Sequence, residues 1–398
     1  MDISLIEILK VIINIFLQPL LYWSIICLFL TSYFRMKRER LHFGVKIFPS
    51  FAESKGTWKV SIIFGMIYSI LFLSIGFVFT YELTILLAIV TVILSITGRT
   101  SLLSPSYTIG ITFLLIVISP VVLQEQSSVD PHLFATISLP MISLLIGLFL
   151  VVEAFFVSRV KRTDVYPNLS KSNRGVWIGK HDIKKATVIP FIGLIPGDLI
   201  SPFANYWPHF SMGEETYTFI VIPLLLGFNF SVQSQSIERA TAYLGKKLLL
   251  LASFTLVIAL GSLYEERLAF VAVIVAIIGR EYITYTFKQL DKSHIASFNK
   301  LNQGLKVLAV MPESSADRLG ILVGESITKV NDVRINHPDE FYEQLRQSGA
   351  SFKLEVIDDN DEIRFIQHAR FENDHHSLGI IFTQEPRRIV KPSLVNES

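Results

Sequence analysis

Catalysis in this 398-residue chain would have to come from a short roster of residues. Metal-assisted hydrolysis needs histidines at helical spacing with a carboxylate base, as in HExxH. The closest pair among the nine histidines, His375-His376, is adjacent and flanks a predicted strand. Serine chemistry needs a base beside the hydroxyl and an oxyanion hole, and no G-x-S-x-G run is present. Residues 245–247, GKK, lack the upstream glycine spacing and the Ser/Thr of a phosphate-binding loop. The single cysteine, Cys27, lies in an apolar run and leaves no intramolecular disulfide to form. No enzyme activity, cofactor or metal is expected.

What remains is ionisable side chains in apolar surroundings, which are functional candidates by default in a bilayer. Glu153, in FLVVEAFFVSRVKR, stands about one and a half helical turns before Arg159. It reads as a carboxylate paired with that basic cluster near an interface. Arg280 and Glu281, near the end of the last apolar run, read the same way. Asp198 follows Gly197 in IPFIGLIPGDLISPF and reads as a turn residue more than a proton relay. Paired charges within the apolar runs are not evident, and neither is the internal repeat of many carriers.

These residues sit in a chain built for a membrane. It is 51% hydrophobic and 18% charged, with mean hydropathy +0.49, against about 25% charged in soluble domains. A bilayer core about 30 Å thick takes roughly 20 apolar residues per helix. Runs near that length occur at 11–34, 60–80, 83–98, 107–123, 133–157, 216–232, 248–264 and 268–287. A ninth, 187–204, carries Pro190, Pro196 and Pro202 and is a broken or re-entrant candidate. Segment 35–59 holds seven Lys/Arg and 158–186 holds eight, while 124–132 and 205–215 hold none. Nine spans place every basic loop, and the chain after Lys288, on the cytoplasmic side. Eight spans, with 187–204 re-entrant, would set 158–186 against 231–247. Trp58 and Trp177 are read as interfacial aromatics near helix starts.

After Lys288 the pattern changes, and the charge balance with it: 14 Lys+Arg against 17 Asp+Glu leaves −3, hence +5 for residues 1–287. A basic membrane sector and an acidic tail argue against nucleic acid as a partner. Leu305 to Met311 reads as a short strand ended by Pro312. Ser314 or Ser315 caps a helical turn stopped by Gly320, and Gly324 turns into a strand carrying Ile327 and Val330. A tight turn at Asn331-Asp332 follows, then a helix over 339–348 and a hairpin over 352–365.

This order resembles a bacterial PDZ domain over 305–382. The matching residues are Pro312-Glu313-Ser314-Ser315-Ala316, Leu319-Gly320-Ile321, Gly324-Glu325, Ile327 and Val330-Asn331. Ser315, Leu319, Glu325 and Asp332 depart from the usual Pro, Ala, Asp and Gly. The family's carboxylate-binding tripeptide is found late, as Leu378-Gly379-Ile380, which implies a circularly permuted order. The resemblance implies a peptide groove bordered by Leu378, Gly379, Ile380, Ile381 and Phe382 on one side and by Phe341, Tyr342 and Leu345 on the other. A partner segment would add there as an extra strand. An ordinary turn at Gly379 before a core strand is the competing reading, and His375 and His376 are either exposed loop residues or tuners of the anion site.

The expected architecture is therefore a polytopic α-helical membrane protein followed by a small α+β cytoplasmic domain, PDZ-like and circularly permuted. Residues 1–287 form the multi-span sector, 288–304 a linker, 305–385 the PDZ-like domain and 386–398 a disordered tail. A polytopic sector with a C-terminal PDZ module resembles the MinJ family, the division-site topology proteins of Gram-positive rods. The start LQPLLYWSIICLFLTSYFRMKRER and the ending HHSLGIIF carry the likeness at either end. That resemblance implies a non-enzymatic adaptor enriched at septa and poles. It would bridge a DivIVA-like scaffold to a MinD-like ATPase and so to the MinC inhibitor, with the lipid bilayer and other divisome proteins as further partners. A PDZ-regulated transporter and a regulatory partner or degenerate relative of a membrane protease are the other classes.

Overall fold

The computed structural model describes residues 18–123, 134, 136–172, 175–202, 208–209, 216–294, 304–349, 351–358, 361–369 and 378–383. His375, His376, most of the expected linker and the expected tail lie outside them, as does the side chain of Asp198. Among the described residues, six helices are long and apolar enough to cross a bilayer: α1 (Pro19–Phe43), α2 (Trp58–Ile75), α4 (Pro105–Leu123), α5 (Leu139–Ser158), α6 (Ile237–Gly261) and α7 (Arg267–Ser293). Between α2 and α4, α3 (Tyr81–Ile96) is apolar but only 16 residues long. Gly76 ends α2 with φ +77, a conformation that a side chain at this position would strain. Thr80 caps α3 by accepting the Leu83 N–H.

Two expected spans are not helices. The runs 187–204 and 216–232 belong to strands β2 (Trp177–Ile200) and β3 (Tyr217–Val232), paired antiparallel from His181↔Val232 to Pro196↔Tyr217. A continuous apolar run buried on both faces has no period that separates strand from helix. Pro190, Pro196, Pro223 and Gly227 made helices costly here, and a hairpin tolerates them where their missing or bare backbone points off the ladder. The short β1 (Tyr166–Lys171) adds to the base of β2, Tyr166 opposite Asp182.

The hairpin runs alongside α2. Ser61 Oγ lies 2.7 Å from Thr187 Oγ1, Gly65 meets the Pro190 carbonyl, and Ser69 Oγ accepts the Ile192 N–H at 2.8 Å. Thr187 to Leu194 spans about 23 Å as a strand, and Ser61 to Ile75 about 21 Å as a helix, so β2 follows α2 through most of its depth. Backbone at that depth must be satisfied by protein. The β2 edge facing away from β3 meets this demand in three ways. Ala186 N–H donates to the Glu53 carbonyl and Leu194 N–H to the Phe77 carbonyl. The Leu194 carbonyl accepts the Phe79 N–H at 2.6 Å. Pro190 and Pro196 have no N–H to satisfy. Accordingly α2 is built inside out: Ser61, Gly65 and Ser69 face the hairpin, while Ile62, Ile63, Met66 and Ile70 are exposed.

Removing two spans leaves the parity of the chain unchanged. The end of α1, the start of α2, the end of α5, the start of α6 and the end of α7 still share one end of the bundle, and the basic segments 35–59 and 158–186 lie there. The charged residues pair otherwise than expected. Glu153 does not meet Arg159, whose guanidinium lies 5.0 Å from the Phe155 ring centre. It meets Arg280 at 2.9 Å, both side chains buried, with Ser104 Oγ donating to the second carboxylate oxygen. A paired charge thus does exist within the bundle, tying α5 to α7. Asp291 accepts the N–H groups of Gln233 and Ser234 and holds the end of β3 against α7.

The C-terminal module begins with β4 (Leu305–Val310) and α8 (Ser315–Arg318), continues through β5 (Ser326–Val330), β6 (Val333–Arg334), α9 (Pro338–Gln347), β7 (Ser351–Ile357) and β8 (Ile363–Ala369), and closes with β9 (Ile380–Phe382). The sheet order is β8-β7-β5-β4-β9, with β6 on β5. Asn331 and Asp332, at φ +49 and +67, form the tight turn between β5 and β6. Ser314 accepts the Asp317 N–H at the cap of α8. The core gathers Val307, Ile327, Val330, Phe341, Leu345, Leu354, Val356, Ile380 and Phe382.

Candidate functional site: a sheet-edge groove on a docked module

The last strand of the module takes the edge position beside the first, which is the permuted arrangement. Leu378 and Gly379 lie at φ +51 and +81, so two successive left-handed residues swing the chain into β9. A side chain at Gly379 would stand 2.3 Å from Ser314 Cβ, so the glycine is needed for both conformation and space. The Leu378 carbonyl accepts the Ala316 N–H and the Gly379 carbonyl accepts the Met311 N–H, turning both carbonyls into the module. With Met311 bonded to Gly379, the pair Ile380↔Val310 is a non-hydrogen-bonded one, and the N–H and C=O of Ile380 point outward to α9.

Of the eight residues expected at the groove, Leu378, Ile380, Phe382, Phe341, Tyr342 and Leu345 pack in one cluster, in unequal roles. Tyr342 Oη donates to the Ile380 carbonyl at 3.3 Å, bridging α9 and β9. Phe341 packs edge-on against Phe382 with ring centres 5.1 Å apart and is fully buried, as is Ile380. Leu345 also belongs to the core. Tyr342 is the partly exposed member on the helix side and stands where an added strand would lie. Ile381 turns to the opposite face.

That opposite face is covered by the membrane sector. Ile381, Ala309 and Met311 pack with Ile47, Phe48, Ala52 and Tyr166. Leu308 packs with Leu169, Phe43, Trp177 and Val323. Trp177, expected beside a helix start, opens β2 and serves this contact. His181 Nε2 lies 2.7 Å from the Leu308 carbonyl. Burial pushes the His181 imidazole down to about 4, against the opposing pull of that carbonyl and of Asp182, so it is neutral near pH 7. None of these contacts was expected from the sequence, where Ile381 was read as groove and Trp177 as an interfacial aromatic. One signal was available: LKVLAV is apolar on both faces, which a half-exposed strand would not need to be.

Comparison with known proteins adds to this geometry. A family model described as PDZ domain matches residues 306–358, which covers β4 to β7 and stops short of the groove strand. The cell division topological determinant MinJ of Bacillus subtilis (strain 168) is 31% identical over 384 residues, covering 96% of each chain. Probable cell division topological determinants MinJ of Lacticaseibacillus paracasei and Lacticaseibacillus casei (strain BD-II) are each 22% identical over 251 residues, covering 61% of this chain and 66% of theirs. No solved structure matches. With near-complete coverage and both parts of the architecture in place, the chain belongs to the MinJ family of cell division topological determinants.

Proposed function

We propose that this protein is a non-enzymatic adaptor that places division regulators, with its basic end and PDZ module in the cytoplasm. The module would receive a partner strand along β9, and the bundle would hold it at poles and septa. In the family's terms it would bridge a DivIVA-like scaffold to a MinD-like ATPase and so to MinC. The observation that carries this reading is the outward-facing Ile380 edge beside α9, on a module seated against the membrane sector. Confinement to the membrane surface raises the effective concentration of partners already held there.

The test is the position of fluorescent fusions in rod-shaped cells lacking their own relative. Full-length protein is expected at septa and poles and restores placement of the MinD-like ATPase. Tyr342→Glu, which puts a charge at the groove mouth, is expected to stay at septa and fail to recruit the ATPase. Uniform membrane fluorescence of the full chain would sink the division role, and normal recruitment by Tyr342→Glu would remove the groove from it. A carrier reading has one observation in its favour, the Glu153–Arg280 pair. Both carboxylate oxygens are engaged and the pair is fully enclosed, which suits a clamp between helices better than a moving charge.

A further inference from the structure

Between α1, β1 and the base of β2 lies a pocket lined by Arg35, Arg38, Glu39, Tyr166, Asp182 and Lys184. Its donors and acceptors do not balance. The Glu39 carboxylate accepts from Arg35 and from the Ile47 and Phe48 N–H groups. Glu53, just behind, accepts from Arg35 and Ser32. Asp182 accepts from Arg38, Asn168 and Ser231. Every carboxylate is therefore engaged. Two donors are left over. Lys184 is 6% exposed and makes no ion pair or hydrogen bond among the described residues, and the buried Tyr166 hydroxyl makes no hydrogen bond. Arg38 stands half exposed at the mouth and uses one nitrogen on Asp182. A buried phenol without a hydrogen-bond partner is destabilising, and the nearly enclosed lysine beside it brings a positive charge with no carboxylate left to pair with.

The location supplies the rest. Tyr33 and Phe34, exposed on α1, lie about one turn before Arg38. Exposed Phe51 packs on Phe29 at 4.6 Å, and exposed Trp58 opens α2 nearby in sequence. Such aromatics mark the level where hydrocarbon gives way to headgroups. Burial pushes the Lys184 ammonium down to about 8, with Glu53 opposing, so it remains mostly protonated at neutral pH.

We propose that Lys184, Tyr166 and Arg38 form a binding site for a phosphate-bearing anion, and that its source is the headgroup of an anionic phospholipid. Phosphate oxygens would accept from the Lys184 ammonium and the Tyr166 hydroxyl, and Arg38 would close the mouth. Because Tyr166 also packs with Ala309 and Ile381, an occupied site would brace the module where it meets the bundle.

The experiment uses the full chain, delipidated in detergent, with thermal unfolding followed by tryptophan fluorescence. The probes are short-chain phosphatidylglycerol, short-chain phosphatidylcholine and inorganic phosphate. Phosphatidylglycerol is expected to raise the midpoint, and Lys184→Met and Arg38→Gln to weaken its apparent affinity at least tenfold. Without lipid, Lys184→Met is expected to melt no lower than wild type, since it removes a buried unpaired charge. Equal stabilisation by inorganic phosphate supports the anion site and overturns the lipid as its source. No stabilisation by either phosphate source, equal stabilisation by phosphatidylcholine, or an unchanged response in both variants overturns the site itself.

Discussion

Removing Arg280 gives the sharpest test of the bundle. The Glu153 carboxylate accepts from Arg280 Nε at 3.1 Å on one oxygen, which also lies 2.9 Å from Nη2 in the ion pair, and from Ser104 on the other. Arg280 also reaches Thr284 Oγ1 at 2.6 Å and stacks over Phe230, so α7 is pinned to α5 and to the hairpin together. In Arg280→Met the carboxylate keeps only the serine, and losing one partner of a buried pair costs about 3–5 kcal/mol. In the double variant Arg280→Met/Glu153→Gln the charge is gone while Ser104 keeps an acceptor. Its stability is expected within about 1–2 kcal/mol of wild type; with Glu153→Gln alone also losing about 3–5 kcal/mol by leaving the arginine unpaired, the coupling is at least about 4 kcal/mol. Neutral hydrogen bonds between membrane helices couple by about 0.6 kcal/mol, and by about 1.7 at most, so the two cases are separable. The assay is denaturant titration of all four proteins in mixed micelles, read by tryptophan fluorescence. A loss under about 1 kcal/mol in Arg280→Met, or a double variant no more stable than it, would refute an ionised clamp in a dry interior.

Two more predictions concern the hairpin and the docking face. Ser69→Ala deprives the Ile192 N–H of its acceptor at membrane depth and is expected to cost about 1–3 kcal/mol, while Gly65→Ala sets a methyl carbon 2.0 Å from the Pro190 carbonyl oxygen and is expected to abolish assembly; unchanged yield and unfolding midpoints for both would refute the packing of α2 on β2. The His181 imidazole is held below its ordinary range, so it favours the docked state fully above about pH 6.5 and progressively less as the pH falls towards about 4. Energy transfer between labels on the module and the bundle is expected to fall over that window and to flatten in His181→Gln; a pH-independent signal in the wild type would refute the contact.

The module was legible because its signals are local. Ser314 as a cap, Asn331-Asp332 as a left-handed turn and Leu378-Gly379 as the entry to a strand each act within a few residues, and each holds in the structure. The helices of the bundle were legible from length and hydropathy. The hairpin was not, because its apolar faces are both covered and its run of residues satisfies a helix equally well. Glu153 was assigned to the nearest cation in sequence, yet its partner lies 127 residues away. Nothing in a local window ranks Arg280 above Arg159. The inside-out pattern of Ser61, Gly65 and Ser69 is visible only when α2 is already known to pack against strands.

The hairpin also dictates an order of biogenesis. Strands β2 and β3 cannot enter a bilayer alone, since each lone strand would carry its backbone polar groups unbonded into hydrocarbon. Their outer edges are finished by groups from earlier in the chain: Glu53, Ser69 and Phe77 for β2, and Thr100 for β3, whose hydroxyl donates to the Phe228 carbonyl. The template for the hairpin is therefore synthesised before the hairpin itself. Once 216–232 emerges, it faces a choice between insertion as a helix and closure onto that template. Pro223 and Gly227, by weakening the helix, tilt the choice towards closure, so these two residues act during synthesis as much as in the finished fold.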